Sequence, residues 1–131
     1  DGVEEIKSDH WSVHFKGHQP KAATLKIADK VDFGEHPFLE HFKYLKSVAG
    51  DTLCKMTIPS PSMLHLICCV RAEEYIPIER YQDMKDLYYD IAIAYQKVIR
   101  AFYNAGCRYL QLDDTSWGEF CDAEKRKTYK D

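Results

Sequence analysis

At 131 residues, 45% hydrophobic and 30% charged, the chain has the size and composition of one globular domain. No apolar run approaches the roughly 18 residues of a membrane span, and 18 Lys+Arg against 21 Asp+Glu give a net charge of −3 with no basic stripe beyond the short tail "EKRKTYK". Insertion into a membrane and nucleic acid as a main partner are both disfavoured.

Five cysteines, Cys54, Cys68, Cys69, Cys107 and Cys121, are an odd number without a C-x-x-C spacing. With no signal peptide this reads as free thiols in a reducing, cytoplasmic setting. The chain opens on "DGVEEIKSDHW", with no obvious strand or helix start, and closes on "CDAEKRKTYKD". Both ends suggest an internal piece of a longer protein, and residues 1–131 are read as one partial domain with no second one.

Residues 10–20, "HWSVHFKGHQP", alternate polar and apolar side chains until Gly17 and Pro20 break the run, which predicts a short strand or extended loop. His14 and His18 are four apart, but those breakers argue against the helix on which they could share a metal. Residues 22–33, "AATLKIADKVDF", alternate through Leu25, Ile27 and Val31 and predict a strand. In "GEHPFLEHFKYLKSVAG", Phe38, Leu39, Phe42, Leu45 and Val48 fall at helical spacing, with Pro37 in the first turn and Gly50 as the stop. His36 and His41 are polar positions on that helix and its entry.

Residues 52–58 of "TLCKMTIPSPSML" predict a strand that Pro59 and Pro61 end, since proline cannot donate to a ladder. A long irregular connection follows, in which Cys68 and Cys69 of "LICCV" read as small buried hydrophobes. Tyr81, Met84, Leu87, Tyr88, Ile91, Tyr95, Val98, Ile99 and Phe102 then recur at steps of three and four up to Gly106, a long amphipathic helix with a glycine C-cap. Its aromatic stripe is core packing. Residues 109–112, "YLQL", form the next strand.

Strand, helix, strand, helix, strand is the order of an α/β fold with a parallel sheet. Function in such folds collects at the carboxyl edge of the strands, where both "PSPSMLH" and the acid pair Asp113 and Asp114 fall. Successive side chains on a strand point to opposite faces, so one acid looks into the site while its neighbour supports loops or a helix end. The plainer reading makes the pair an N-cap and a surface acid before "TSWGEF". Trp117 either covers the site or packs the next helix.

Three blocks in this order, "FGEHPFLEHFKYLKS", "TIPSPSMLH" and "AYQKVIRAFYNAGCRYLQLDDTSW", resemble the short single-domain relatives of cobalamin-independent methionine synthase from about Gly2 to Trp117. The resemblance implies a (β/α)₈ TIM barrel, of which this chain would supply roughly the third to fifth strand regions as a middle segment. It also implies zinc-dependent methyl transfer from a methylated folate to the thiol of homocysteine in methionine biosynthesis, the zinc holding that sulfur as a thiolate. Asp113 matches the acid that binds the amino group of the substrate, and Asp114 takes the neighbouring acidic position. Ser62, His65 and Trp117 are candidates for the folate side.

The family's His-x-Cys pair, glutamate and distant cysteine have no counterpart here, so zinc ligands are expected outside this chain, which would be inactive alone. Two other readings stand beside the enzyme segment. One is a non-catalytic α/β binding module for an amino acid or pterin, and the other is a scaffold fragment prone to self-association through exposed barrel edges.

Overall fold

The computed structural model describes residues 1–12, 21–71 and 75–128. His14 and His18 lie outside the described residues. Strands β1 (Val3–Ser12) and β2 (Lys21–Ile27) pair antiparallel, with Val3 opposite Ile27 and Lys7 opposite Ala23, then an irregularity before Ser12 opposite Lys21. On one face Val3, Leu25 and Ile27 turn to the core. On the other, the directly opposed Glu4 and Lys26 form an ion pair at 3.3 Å.

Two expectations are corrected here. The opening stretch is a strand, and the strand in residues 22–33 ends at Ile27 and joins β1 rather than a parallel sheet. Val31, beyond that strand, is buried and donates its N–H to the Tyr81 hydroxyl at 2.8 Å. A core position in a loop, four residues past Ile27, thus mimics a continued strand alternation.

Helix α1 (Pro37–Ala49) starts where His36 Nδ1 accepts the Phe38 N–H at 3.1 Å, with Pro37 at the first position, whose missing N–H costs nothing there. It stops before Gly50. Strand β3 (Lys55–Pro59) leads into a short helix α2 (Pro61–His65), which runs directly into a π-helical turn, Leu66–Val70. The expected irregular connection is therefore partly helical, and "LICCV" buries Leu66 and Cys68.

After a 3₁₀ turn at Glu79–Tyr81, helix α3 (Met84–Asn104) begins under an Asp83 cap whose carboxylate accepts the Lys85 N–H at 2.9 Å. Gly106, just past its end, has φ +93°, a left-handed value that glycine adopts without a Cβ penalty. Strand β4 (Tyr109–Asp113), a 3₁₀ stretch at Thr115–Cys121 and helix α4 (Ala123–Thr128) complete the order. Strands β3 and β4 pair in parallel, and α3 lies in the connection between them. The expected α/β class holds, with one antiparallel and one parallel pair among the described residues.

Helix α3 joins two apolar clusters. Leu87, Ile91 and Ala94 pack with Ile27, Val31, Cys68 and Tyr81. One turn on, Val98 and Phe102 pack with Phe42, Ile58 and Cys107, and the Phe42 and Phe102 rings meet edge to face at 6.2 Å. Each fully buried side chain of this kind stabilises the fold by about 1.5–3 kcal/mol. Buried Asp90 sits on the same stripe and is satisfied by Tyr81 Oη at 2.8 Å and by the Arg80 guanidinium at 3.3 Å. Among the described residues no helix is long and apolar enough to cross a membrane.

Candidate functional site

The parallel ladder runs from Lys55 opposite Tyr109 to Pro59 opposite Asp113, and the Ser60 N–H extends it by donating to the Asp113 carbonyl at 2.8 Å. The end of β4 and the loop after β3 therefore share one edge, as the order of elements predicts. A cavity of about 200 Å³ opens there, lined by Thr57, Ile58, Pro59, Met63, Asp113 and Thr115. Its walls are apolar at Ile58, Pro59 and Met63, and among the described residues its one charged lining group is Asp113. The Thr115 hydroxyl contacts Met63 Sδ at 3.1 Å across it.

Asp113 is exposed, and its carboxylate accepts from the Gln111 side-chain amide, two residues back on the same strand face. Among the described residues no lysine or arginine pairs with it. Asp114 turns elsewhere. Its Oδ2 accepts the Ser62 hydroxyl at 2.5 Å, and its Oδ1 accepts the Ser116 N–H at 3.0 Å together with the Ser116 hydroxyl. It caps the 3₁₀ stretch that follows β4. These donors, Ser116 first and Ser62 second, hold its carboxyl below the usual carboxylate range.

Ser60, buried beneath, lies 2.8 Å from Ser62 Oγ. With the Ser62 proton directed to Asp114, Ser60 is the donor of that pair. Ser62 thus meets Asp114 and Ser60 and does not line the cavity. His65, at the end of α2, faces α3: its Nε2 is 3.3 Å from the Tyr88 hydroxyl, and the two rings stand edge to face at 5.1 Å. Burial pushes its imidazole below the ordinary value. Trp117 is exposed and stacks obliquely on Phe120 at 5.7 Å, away from the cavity lining.

The structure therefore brings Asp113, Asp114 and Ser62 to one edge and sets His65 and Trp117 apart from the cavity. The sequence candidates do not include Ser60, Met63, Thr115 and Ser116. The available signals were the serines flanking Pro61, and a Ser placed two after an acid at a helix start. A second cavity of about 200 Å³, on the other side of Pro59, is lined largely by apolar groups such as Val31, Phe33, Leu64 and Val98. Asp32 at its rim already holds Lys97 at 2.5 Å.

Among the described residues no three His, Cys, Asp or Glu side chains gather to hold a metal. The buried Cys68 thiol is pushed up to about 12, the reverse of what a thiolate ligand needs. The described side chains thus do not fit zinc.

No family model matches the chain. It is 43% identical to the uncharacterized protein YxjG of Bacillus subtilis over 120 residues, covering 92% of this chain and 30% of that protein. It is 28% identical to a methionine synthase of Saccharolobus solfataricus over 101 residues, 70% of this chain and 28% of that one. Among solved structures it superposes with a TM-score of 0.65 and 46% identity on a protein from Listeria monocytogenes, provisionally assigned as a vitamin-B12-independent methionine synthase. That match covers 81% of this chain and 34% of the other. The chain thus spans about a third of the length of the relatives it matches. With sequence identity and superposed backbone agreeing over most of its length, the chain is a relative of the vitamin-B12-independent methionine synthase family.

Proposed function

We propose that this chain contributes the amino-group-binding edge of a methyltransferase of the 5-methyltetrahydropteroyltriglutamate–homocysteine S-methyltransferase type. In this reading β3, α3 and β4 are consecutive parts of a (β/α)₈ barrel, and the cavity at their carboxyl edge receives homocysteine. The observation that supports it is Asp113, a carboxylate with no lysine or arginine partner among the described residues, at the end of a parallel strand beside a small apolar cavity. An ammonium group supplies the charge-assisted partner that this acid lacks, and Ile58, Pro59 and Met63 offer contact to a short aliphatic chain.

The methylated folate enters as co-substrate, and its approach past Ser62, His65 and Trp117 is the part of the reading furthest from the cavity lining. Zinc ligands belong, in this reading, to residues other than those described, and the protein works in the cytoplasm on small molecules. The test is Asp113→Asn in the protein expressed from the complete reading frame, titrated calorimetrically with homocysteine. A charged hydrogen bond contributes about 1.5–3 kcal/mol, so affinity should fall roughly 10- to 100-fold while zinc content stays the same. Unchanged homocysteine affinity would remove Asp113 from this role.

A further inference from the structure

We infer that Ser62 and Asp114 are positioning residues that aim Asp113 at the substrate, an inference that rests on the amino-group role proposed for Asp113. Asp113 is the last residue of β4, exposed, in a parallel pair with one other described strand. A side chain in that position would ordinarily swing with its loop. Two ties prevent it. The Ser60 N–H holds the Asp113 carbonyl at 2.8 Å, and two residues on, the Ser62 hydroxyl holds the Asp114 carboxylate at 2.5 Å. The peptide unit between Asp113 and Asp114 is thereby fastened on one side to Ser60 in the loop after β3 and on the other to Ser62 in the first turn of α2, which sets the direction of the Asp113 Cα–Cβ bond.

The same ties shape the cavity wall. Asp114 accepts from Ser116 N–H and so fixes the turn that carries Thr115, while Ser62 is the chain neighbour of Met63. Thr115 and Met63 touch at 3.1 Å, and both line the cavity with Asp113. Hence one carboxylate locates three of the groups that a ligand would meet. Asp114 itself does not contact the cavity, because turning its oxygens toward a ligand would strip three donors of their acceptor. Its charge is spent inside the clamp, so an incoming ammonium meets a single oriented acid. Misplacement of a binding group by about an ångström is enough to weaken a site, which gives the clamp a functional consequence beyond its stability.

The experiment compares homocysteine with 4-mercaptobutanoate, the same thiol acid without its amino group, by equilibrium titration of the protein from the complete reading frame. Ser62→Ala should weaken homocysteine by about fivefold and 4-mercaptobutanoate by less than about twofold, as expected for loss of aim at one charged contact. Ser62→Thr, which keeps the hydroxyl, should restore the homocysteine value. Asp114→Asn keeps the shape and loses the charge that draws the serine donors; it carries the same ligand-selective expectation and serves if Ser62→Ala does not fold. Equal losses for both ligands, or none, would overturn the clamp. Asp113→Asn separates the two levels. If it weakens homocysteine while Ser62→Ala and Asp114→Asn do not, the clamp alone is wrong, and if it leaves homocysteine unchanged, the amino-group role and the clamp fall together.

Discussion

Replacing Tyr81 by Phe tests the polar link that ties three separated segments together. The Tyr81 ring is fully buried, and its hydroxyl both accepts the Val31 N–H and donates to Asp90 Oδ2, each at 2.8 Å. Phenylalanine keeps the ring and its packing, so the change isolates the hydroxyl. The bond to a charged carboxylate contributes about 1.5–3 kcal/mol, and an orphaned buried N–H at Val31 costs about 1–3 kcal/mol more. Asp90 keeps the Arg80 guanidinium at 3.3 Å, which offsets part of its loss. A net destabilisation of about 3 kcal/mol follows, which for a chain of this size lowers the melting midpoint by about 10 °C. Urea unfolding followed by far-ultraviolet circular dichroism measures it. The internal comparison is Tyr95→Phe, which deletes a single bond, Tyr95 Oη to the Pro59 carbonyl at 2.9 Å, and should cost about 1 kcal/mol. If Tyr81→Phe costs no more than Tyr95→Phe, the three-segment link does not carry the stability assigned to it.

Acid should loosen the start of α1, because burial holds the His36 imidazole below its ordinary 6.5 and its Nδ1 must stay unprotonated to accept the Phe38 N–H. A folded value below the unfolded one means this contribution is whole above about pH 6.5 and is lost as pH falls toward the folded value. His36→Asn, which caps without titrating, should therefore flatten the stability slope between about pH 7 and 5, and an identical slope would refute the link. Gly106→Ala forces a Cβ at φ +93° to within 2.8 Å of Lys46 Cε and should cost about 1–2 kcal/mol. Gly50→Ala meets open space, but at φ +58° and ψ −124° backbone strain alone should cost about 1–2 kcal/mol there too, and a urea midpoint unchanged by either substitution would count against this account.

How far the sequence carried depended on how local each signal was. Helix α3 was legible because three- and four-step apolar spacing from Tyr81 to Phe102 and the stop at Gly106 agree within one segment. Strand β1 was not, because "VEEIK" places acids on both faces and its apolar Val3 gains meaning only opposite Ile27, 24 positions away. "LICCV" is too short for its apolar run to separate strand from helix, and the π-helical turn lies outside either template. Asp90 was hidden by the stripe it belongs to: it stands three after Leu87 and four before Ala94, and a lone acid at that spacing is itself a sign of a buried partner. The acid pair of β4 divides along the same line. Alternation separates Asp113 from Asp114 from four residues of pattern, but the serine that occupies Asp114 lies 52 positions earlier and arrives only because β3 and β4 align Pro59 with Asp113. Two adjacent carboxylates are tolerable there because Asp114 is saturated by serine donors while Asp113 stays exposed and accepts from the Gln111 amide, and that division of labour exists in the pairing of two strands rather than in either strand alone.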